Sequence, residues 1–297
     1  MLASLALAAL GALARALPVG AGYAVARAGA RLHLALAARR RRAVEANLRR
    51  VAAHDPGRAA GHGLAHLVRD TFANHGTFMY EWLRASAGGR AELALDGREH
   101  LDAALASGRG AILVTCHLGN WEVAACELAR AGYPLAVVTG EQLGRLAPAV
   151  RRDKARRGIL VLRPADGRRA LYRALAANRI LVLLIDGDVW RKARTVAFLG
   201  RPAAVPCGAH RLARSTGAPL MAAAMRRRGP LAFHATIHAP VALGARPEAT
   251  LGELLRPLER AIARDPSQWC LFRPLWDEPA PATPVAAAPR ALERGAA

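Results

Sequence analysis

The sequence predicts a single α/β domain, in which helices flank a mainly parallel or mixed central sheet, with a helical arm at the N-terminus. Beyond residue 90, short apolar runs alternate with segments of helical periodicity, the order that builds such a sheet. The run at residues 111–116 is apolar and β-branched, as expected for a buried strand. Residues 1–26 are largely apolar and precede a cluster of arginines. The predicted division is therefore an arm at 1–50, a domain at 51–278 and a tail at 279–297.

The N-terminal arm combines an apolar stretch with a basic flank. Residues 1–14 carry no charge, and Arg15 interrupts the apolar stretch. Residues 16–26 are again largely apolar but contain a proline and glycines, and four arginines follow at 39–42. A signal peptide carries its positive charge before the apolar stretch, and a transmembrane helix needs about 20 apolar residues. An interfacial helix fits better, with its apolar side in the acyl boundary and its arginines on an anionic membrane surface. The alternative is a packed amphipathic helix with a solvated arginine face.

The rest of the chain divides into short elements, and its 53% hydrophobic content is ample for a core. Residues 43–85 have helical periodicity and an aromatic-rich end. Strands are predicted at 91–96, 111–116, 135–139, 159–162, 180–185, 219–225 and 232–238. Helices are predicted at 99–107, 121–131, 146–158, 168–177, 206–216 and 251–264. The tail from Pro279 is rich in proline and alanine and is predicted to be disordered.

The formal net charge of +21 favours an anionic partner, either nucleic acid, an acidic membrane surface or a phosphorylated substrate. Lys154 and Lys192 are the only lysines, so nearly all of this charge is arginine, a bias typical of a GC-rich genome. Basic residues are not interleaved with aromatic ones, and no zinc-finger or RNP-like signature occurs. No glycine-rich nucleotide motif follows a strand. Nucleic acid is therefore not expected as a partner.

The cysteines at 116, 126, 207 and 270 are scattered, without a C-x-x-C pair or metal-ligand spacing. A reduced, cytoplasmic environment is the simplest interpretation, and no metal is expected. Cys116 precedes His117, but adjacent strand residues point to opposite faces, which disfavours a Cys-His nucleophile.

The most informative segment is the hexapeptide HLGNWE at residues 117–122. His117 would emerge at the end of a buried strand, where α/β proteins place their chemistry. Gly119 and Asn120 predict a tight turn. Glu122 is close enough in sequence to fold back on the imidazole, and a carboxylate there fixes the tautomer and stabilises the imidazolium. The pair is a candidate general base with its orienting group, although a structural or solvated pair has the same spacing.

With its companion segments in order, the chain resembles the bacterial lipid A acyltransferase family, which includes the acyltransferases of actinobacterial phosphatidylinositol mannosides. HLGNWE matches the family's His-x4-Glu motif. The companions are Asn47-Leu48, a Phe-rich helix ending near Glu81, LIDGD at 184–188, VAFLGRPA at 196–203, TGAP at 216–219, PSQW at 266–269 and Trp276. The resemblance implies a glycerolipid acyltransferase-like α/β fold. Gly187 departs from the glutamine usual in the lipid A enzymes, and the Asp-Gly-Asp pattern is closer to the mannoside branch, which leaves the acceptor open.

The resemblance implies transfer of a fatty acyl group from acyl-CoA or acyl carrier protein to a hydroxyl of a glycolipid or phospholipid. His117 would take the hydroxyl proton as general base, because an alcohol is a poor nucleophile at neutral pH. Glu122, or Asp186 from a neighbouring strand end, would hold the imidazole. The thioester donor is a substrate, and no cofactor or metal is needed.

The oxyanion that forms from the thioester carbonyl needs hydrogen-bond donors. Backbone N–H groups of the turn at Gly119 and Asn120 are candidates. An arginine in the basic helix at 151–157 is the expected side-chain donor, and Arg152 and Arg156 are the candidates.

Phe198, Gly200 and Pro202 are expected to shape a loop that binds the acceptor, and a plain turn is the alternative for each. Gln268 and Trp269 are expected to pack rather than to act in catalysis. The arm and the helix at 64–83 are expected to contribute an apolar groove for acyl chains.

Two other classes of function compete with the acyltransferase. A membrane-surface hydrolase would use His117 and Glu122 to activate water, and a basic lipid-binding protein would have no catalysis. The expected location is the cytoplasmic face of the plasma membrane, peripheral or anchored by the arm, since the positive-inside rule keeps the body cytoplasmic even if the arm spans. The chain length of the acyl group and the thioester carrier remain open.

Overall fold

The computed structural model describes residues 2–55, 63–139, 144, 147–187 and 193–276. The helices are α1 (Leu2–Ala16), α2 (Val19–Leu36), α3 (Ala38–His54), α4 (Leu64–Ser86), α5 (Arg98–Ala106), α6 (Trp121–Arg130), α7 (Ala147–Arg156), α8 (Gly167–Ala176), α9 (Gly208–Thr216) and α10 (Pro247–Arg264). The strands are β1 (Glu92–Asp96), β2 (Ala111–Thr115), β3 (Leu135–Val138), β4 (Leu160–Leu162), β5 (Ile180–Leu184), β6 (Ala193–Phe198), β7 (Arg201–Pro206), β8 (Leu220–Gly229) and β9 (Ala232–Ile237). The predicted disordered tail at 279–297 and Asp188 lie outside these residues.

The main sheet has the strand order β1-β9-β8-β2-β5-β3-β4. β8 and β9 are antiparallel, because a tight turn joins them directly, and the other neighbouring strands are parallel. The prediction of a mainly parallel, mixed sheet is therefore confirmed.

Helices cover both faces of this sheet, as the continuous apolar runs of its central strands require. All residues of β2 are buried. Leu175 of α8, Leu212 of α9 and Leu254 of α10 belong to the core on one face. Leu101 of α5 and Leu128 of α6 belong to the core on the other face. The three layers fix β2 and β5 at the centre of the molecule.

The register of β2 and β5 places their carboxyl ends side by side. Thr115 lies opposite Leu184, so the residues that follow each strand emerge at the same edge of the sheet. His117 comes two residues after Thr115, and Asp186 comes two residues after Leu184. Pairing alone therefore brings the two side chains together.

The segment between β5 and α9 contains a two-stranded hairpin, β6–β7, that the sequence analysis did not predict. Leu199 and Gly200 form its turn with φ angles of 49° and 73°, the conformation of a type I′ turn. A leucine in this conformation is strained, but its N–H donates to Oε1 of Glu259 at 2.6 Å and its side chain is buried. Packing on α10 thus overrides the local preference.

The helices of the arm pack on α4. Leu7 lies in a cluster with Trp82, and a Cβ on Gly76 would lie 2.5 Å from the carbonyl oxygen of Ala26, so α2 and α4 approach closely. Residues 7, 11 and 14 are buried on one side of α1. In the part of the chain that the structure describes, no helix has the length and hydropathy to cross a membrane.

The outer side of the arm is apolar. Among the described residues, the large apolar side chains that are more than half exposed all belong to α1 and α2: Leu5, Leu10, Leu13, Val25, Leu32 and Leu36. One side of the arm therefore packs on the domain, as the packed-helix alternative requires, and the other side presents leucines to the surroundings, so its contact with a membrane stays a prediction.

Candidate active site

The imidazole of His117 contacts a carboxylate from the neighbouring strand end. Its Nδ1 lies 2.8 Å from Oδ1 of Asp186, and the backbone N–H of His117 donates to Oδ2 at 2.9 Å. A carboxylate only accepts hydrogen bonds, so the proton of the neutral imidazole lies on Nδ1 and Nε2 keeps its lone pair. The His117 side chain is 23% exposed, which leaves the ring accessible to a substrate.

Asp186 is buried and held from several sides. Nε1 of Trp269 donates to Oδ2 at 2.9 Å, and the guanidinium of Arg273 donates to the backbone carbonyl of Asp186. Burial by itself raises the pKa of an aspartate, but His117 and the Trp269 N–H outweigh this effect and hold the pKa of Asp186 below its ordinary value. The carboxylate is therefore charged and fixed beside the imidazole.

Glu122 does not take the place beside the imidazole. Its carboxylate pairs with Nζ of Lys154 at 2.6 Å, and the Lys154 side chain is 6% exposed. Of the two carboxylates considered from the sequence, Asp186 contacts His117, and Glu122 positions a buried ammonium group on α7. The reason is the turn at 118–120, which starts α6 and carries Glu122 onto its first turn.

Asn120 caps α6 and is completely buried. Its Oδ1 accepts a hydrogen bond from the N–H of Val123 at 3.2 Å, and its Nδ2 donates to Oε2 of Glu81 at 2.8 Å. Glu81 also binds the Arg227 guanidinium at 2.6 Å. With both ends of its amide engaged, the Asn120 side chain fixes the motif, and the role of its backbone N–H as an oxyanion donor stays a prediction.

The arginines expected to bind the oxyanion point elsewhere. Arg152 donates to Oγ of Ser4 at 3.0 Å, and Arg156 pairs with Asp153 on its own helix with its side chain 71% exposed. The N–H of Gly119 is also engaged, since it donates to the carbonyl of Gln268 at 3.1 Å. The basic residue of α7 that reaches the motif is Lys154. The helix turns Arg152 toward the arm and Arg156 toward solvent, so neither side chain bonds the motif here, and their role as oxyanion donors stays a prediction.

Phe198 and Gly200 belong to the hairpin and its turn, and Pro202 follows on β7. Phe198 is 1% exposed, and its ring lies 6.3 Å from the ring of Trp269, the residue that donates to the Asp186 carboxylate. Pro202 pairs with Ala197 and is exposed. Phe198 therefore packs in the core behind the site, and a role of the hairpin turn in binding the acceptor stays a prediction.

A line of aromatic rings runs from His117 toward the arm. Trp121 lies 4.8 Å from His117 and 4.4 Å from Phe78, measured between ring centroids. His75 follows, 4.6 Å from Phe272. Burial, with the positive groups of the arm, lowers the pKa of His75 to about 4, so this ring is neutral and serves as an apolar surface at neutral pH.

The cysteine beside the motif is not a nucleophile. Burial, together with the nearby Asp186 charge, raises the pKa of the Cys116 thiol well above its ordinary value. The thiol is therefore protonated at neutral pH and packs in the core.

Two residues that contact the site, Trp269 and Lys154, were not predicted from the sequence. Trp269 packs as expected, yet its indole N–H also donates to the Asp186 carboxylate, and the sequence carries no signal for that contact. Lys154 carried a signal: it is one of two lysines among 43 basic residues. A lone lysine in an arginine-rich helix is consistent with a requirement for a compact ammonium group.

Comparison with known proteins agrees with the resemblance inferred from the sequence. Residues 1–278 match the family described as bacterial lipid A biosynthesis acyltransferase. The phosphatidylinositol mannoside acyltransferase of Mycobacterium tuberculosis (strain H37Rv) is 34% identical over 132 residues, 43% of this chain and 42% of that protein. The protein of the same name from Mycolicibacterium smegmatis is 32% identical over 166 residues, 52% of this chain and 54% of that protein.

The chain thus spans about half the length of the curated relatives it matches. The family match is more extensive, because it includes the arm, the strand ends that carry His117 and Asp186, and the Trp269 segment. On that match, the chain belongs to the bacterial lipid A biosynthesis acyltransferase family.

Proposed function

We propose that this protein transfers a fatty acyl group from a thioester, acyl-CoA or acyl carrier protein, to a hydroxyl of a membrane glycolipid or phospholipid. The observation that carries the proposal is the His117–Asp186 pair, in which a buried carboxylate accepts from Nδ1 at 2.8 Å and leaves Nε2 as a base. Family membership supports the reaction type.

The chemical step follows from this tautomer. Nε2 of His117 takes the proton of the acceptor hydroxyl as its oxygen attacks the thioester carbonyl carbon, and the new C–O bond forms. The tetrahedral intermediate then breaks its C–S bond, and the leaving thiolate takes the proton back from the imidazolium. Asp186 stabilises the imidazolium between these steps, and its own proton count does not change.

Positive charge near the reacting carbon would stabilise the oxyanion. The N-terminus of α6 lies in the motif itself, and a helix N-terminus carries a partial positive charge. Lys154 adds an ammonium group, which Glu122 holds at 2.6 Å on the first turn of that helix. We assign Glu122 the role of positioning Lys154.

The acceptor we favour is a mannosylated phosphatidylinositol. The matched relatives carry the name phosphatidylinositol mannoside acyltransferase, and the Asp-Gly-Asp pattern at 186–188 agrees with that branch. A lipid A precursor and a lysophospholipid are the alternatives that an acceptor panel must include.

The membrane face is proposed to be the outer side of α1 and α2, on the cytoplasmic side of the plasma membrane. Leu5, Leu10 and Leu13 are 60%, 52% and 58% exposed. Entry of a leucine side chain into an apolar phase contributes about 1.5–3 kcal/mol. The arginines that follow α2 would meet anionic headgroups and add about 1 kcal/mol each.

Transfer is tested with purified full-length protein, radiolabelled palmitoyl-CoA and the panel of acceptors, with His117→Gln in parallel. A labelled lipid product from one acceptor, lost in His117→Gln while the melting temperature is unchanged, supports the proposal. Labelled free fatty acid without any acylated lipid would instead support a hydrolase. If neither product forms, the same panel is repeated with acyl carrier protein as donor, and failure there rejects the transferase.

Membrane binding is tested by sedimentation with vesicles that contain phosphatidylinositol. Leu10→Ser with Leu13→Ser should weaken binding by roughly tenfold or more, because two apolar side chains no longer enter the bilayer. Leu160→Ser with Leu243→Ser is the matched control, since these leucines are 38% and 40% exposed but lie on the domain. Equal losses in both double variants would reject the arm as the membrane face.

A further inference from the structure

A cleft separate from the His117–Asp186 pair lies between α10 and the strands β8 and β9. Its volume is about 800 Å³. Its walls carry three arginines and two histidines: Arg226, Arg260, Arg264, His234 and His238. The mechanism proposed above uses none of them.

The arginines that line this cleft have no carboxylate partners in the described part of the chain. Across the described ranges, no hydrogen bond or ion pair joins Arg226, Arg260 or Arg264 to a carboxylate. In contrast, Arg227, the neighbour of Arg226 on the same strand, makes two hydrogen bonds to the Glu81 carboxylate at 2.6 and 2.9 Å.

The charged groups around the cleft affect one another. Burial, followed by repulsion from Arg264 and Arg228, lowers the pKa of Arg226, and the nearby Asp265 opposes this only in part. Asp265 itself accepts hydrogen bonds from Ser267 and Gln268.

The two histidines bring no negative charge into the cleft. Burial, followed by repulsion from Arg260 and His100, lowers the pKa of His238, so this ring is neutral at neutral pH. His234 bonds Asp96 at 2.8 Å, and Asp96 does not line the cleft. The cleft therefore holds three guanidinium groups that a bound anion would stabilise.

We infer that this cleft binds a ligand that carries several phosphate groups. Guanidinium groups match phosphate oxygens with paired N–H donors. The cleft is too large for one inorganic phosphate, and its volume falls in the range of sites that enclose small organic ligands, about 300–1,000 Å³. This inference rests on the proposed function when it names the ligand, since coenzyme A carries such phosphates and an anionic lipid headgroup is the other source.

Both walls of the cleft connect to the catalytic pair. A Cβ on Gly119, two residues after His117, would lie 3.1 Å from Cα of Arg226, so the motif touches the strand wall. The helix wall ends at Arg264, and the chain then reaches Trp269, which donates to Asp186. The arm helices contribute no lining residue, which favours the water-soluble donor over a headgroup in the bilayer.

The test measures binding of coenzyme A and of adenosine 3′,5′-bisphosphate to the full-length protein by calorimetry. The cleft variant combines Arg226→Gln, Arg260→Gln and Arg264→Gln. The control variant combines Arg169→Gln, Arg173→Gln and Arg256→Gln, which removes the same charge from exposed positions outside the cleft. Melting temperatures establish that both variants fold.

Loss of charge-assisted hydrogen bonds should weaken binding of both nucleotides by roughly tenfold or more in the cleft variant, and by less than about twofold in the control. The KM for acyl-CoA should rise with kcat retained. If nucleotide binding is equal in the two variants but binding to phosphatidylinositol vesicles falls only in the cleft variant, the phosphates come from a lipid headgroup. Equal behaviour of the two variants in both assays overturns the inference.

Failure of the inference and failure of the proposed function give different results. A protein that binds coenzyme A through the cleft but acylates no acceptor would retain the site and reject the transferase. A protein that acylates a lipid, with the same KM for acyl-CoA and the same vesicle binding in the wild type and both variants, would retain the transferase and reject the cleft.

Discussion

Substitution of Asp186 by asparagine isolates the role of the carboxylate, because the two side chains have nearly the same shape. The three contacts of the Asp186 side chain are all with N–H groups: Nδ1 of His117 meets Oδ1, while the His117 backbone and Trp269 Nε1 both donate to Oδ2. An asparagine has one accepting oxygen and one NH2 group, so it cannot satisfy all three donors.

Because three N–H donors face one accepting oxygen, one orientation of the asparagine is favoured. Its oxygen at the Oδ2 position keeps the hydrogen bonds from the His117 backbone and from Trp269. Its NH2 group then faces Nδ1 of His117, which must accept, so the imidazole proton moves to Nε2. In that tautomer Nε2 donates and is no longer a base.

The expected cost is therefore catalytic rather than structural. Loss of the correct tautomer in histidine–aspartate systems lowers kcat by about 10⁴-fold, which corresponds to about 5.4 kcal/mol in the activation free energy. The assay is the kcat of labelled acyl transfer for the wild type and Asp186→Asn under saturating donor. KM for the donor should change little, because Asp186 is buried and contacts no substrate.

The control is Asp102→Asn, which removes another carboxylate that accepts a side-chain hydrogen bond, from Tyr133 at 2.8 Å, away from the site. It should keep the wild-type kcat. If Asp186→Asn retains more than about a tenth of the wild-type kcat with a normal melting temperature, Asp186 does not set the tautomer. Glu122 would then return as the candidate orienting group.

Three further predictions concern stability. Lys154→Met leaves the Glu122 carboxylate without its partner in a largely buried site. The free energy of unfolding in urea should therefore fall by about 3 kcal/mol, and Lys154→Arg should lower it by less because it keeps the positive charge. Gly76→Ala places a methyl group against the backbone of α2, so it should lower the free energy of unfolding by about 1–3 kcal/mol and make the arm easier to cleave with proteases. Gly29→Ala is the control, because the space around Gly29 is open, and it should be neutral or stabilising. His75 has a folded pKa of about 4 and an unfolded pKa of about 6.5, so the unfolded state binds the extra proton and stability should fall by up to about 3 kcal/mol as the pH decreases from 6.5 to 4. His75→Phe should flatten that part of the stability profile, and an unchanged profile would contradict the assignment.

Local patterns in the chain were sufficient to predict most elements of the fold. The strand at 111–116, the helix after the HLGNWE motif and the strand that precedes Asp186 were all placed within two residues of their observed bounds. Each depends on hydrophobic periodicity, turn residues or capping groups that are neighbours in sequence. The β6–β7 hairpin escaped prediction, because its turn holds a leucine in a conformation that only packing and Glu259 stabilise.

The catalytic partner could not be chosen from sequence distance. Glu122 is five residues from His117, and Asp186 is 69 residues away, yet Asp186 makes the contact. The parallel register of β2 and β5 brings the distant carboxylate to the imidazole, while the turn and the first residues of α6 direct the nearby one to Lys154. Sequence reasoning kept both carboxylates as alternatives, and the geometry separates them.

By itself, the sequence determined the fold class, the family and the histidine at the end of the central strand, since these depend on composition, periodicity and a contiguous motif. Only the tertiary structure decided which carboxylate contacts that histidine, which basic residue of α7 pairs with Glu122, and which face of the arm is left apolar. It alone assembles Arg226, Arg260 and Arg264, which have no carboxylate partner among the described residues, into one cleft. The physical reason is that hydrogen bonds and charge clusters act over about 3–6 Å in space, and strand register and helix packing set those distances.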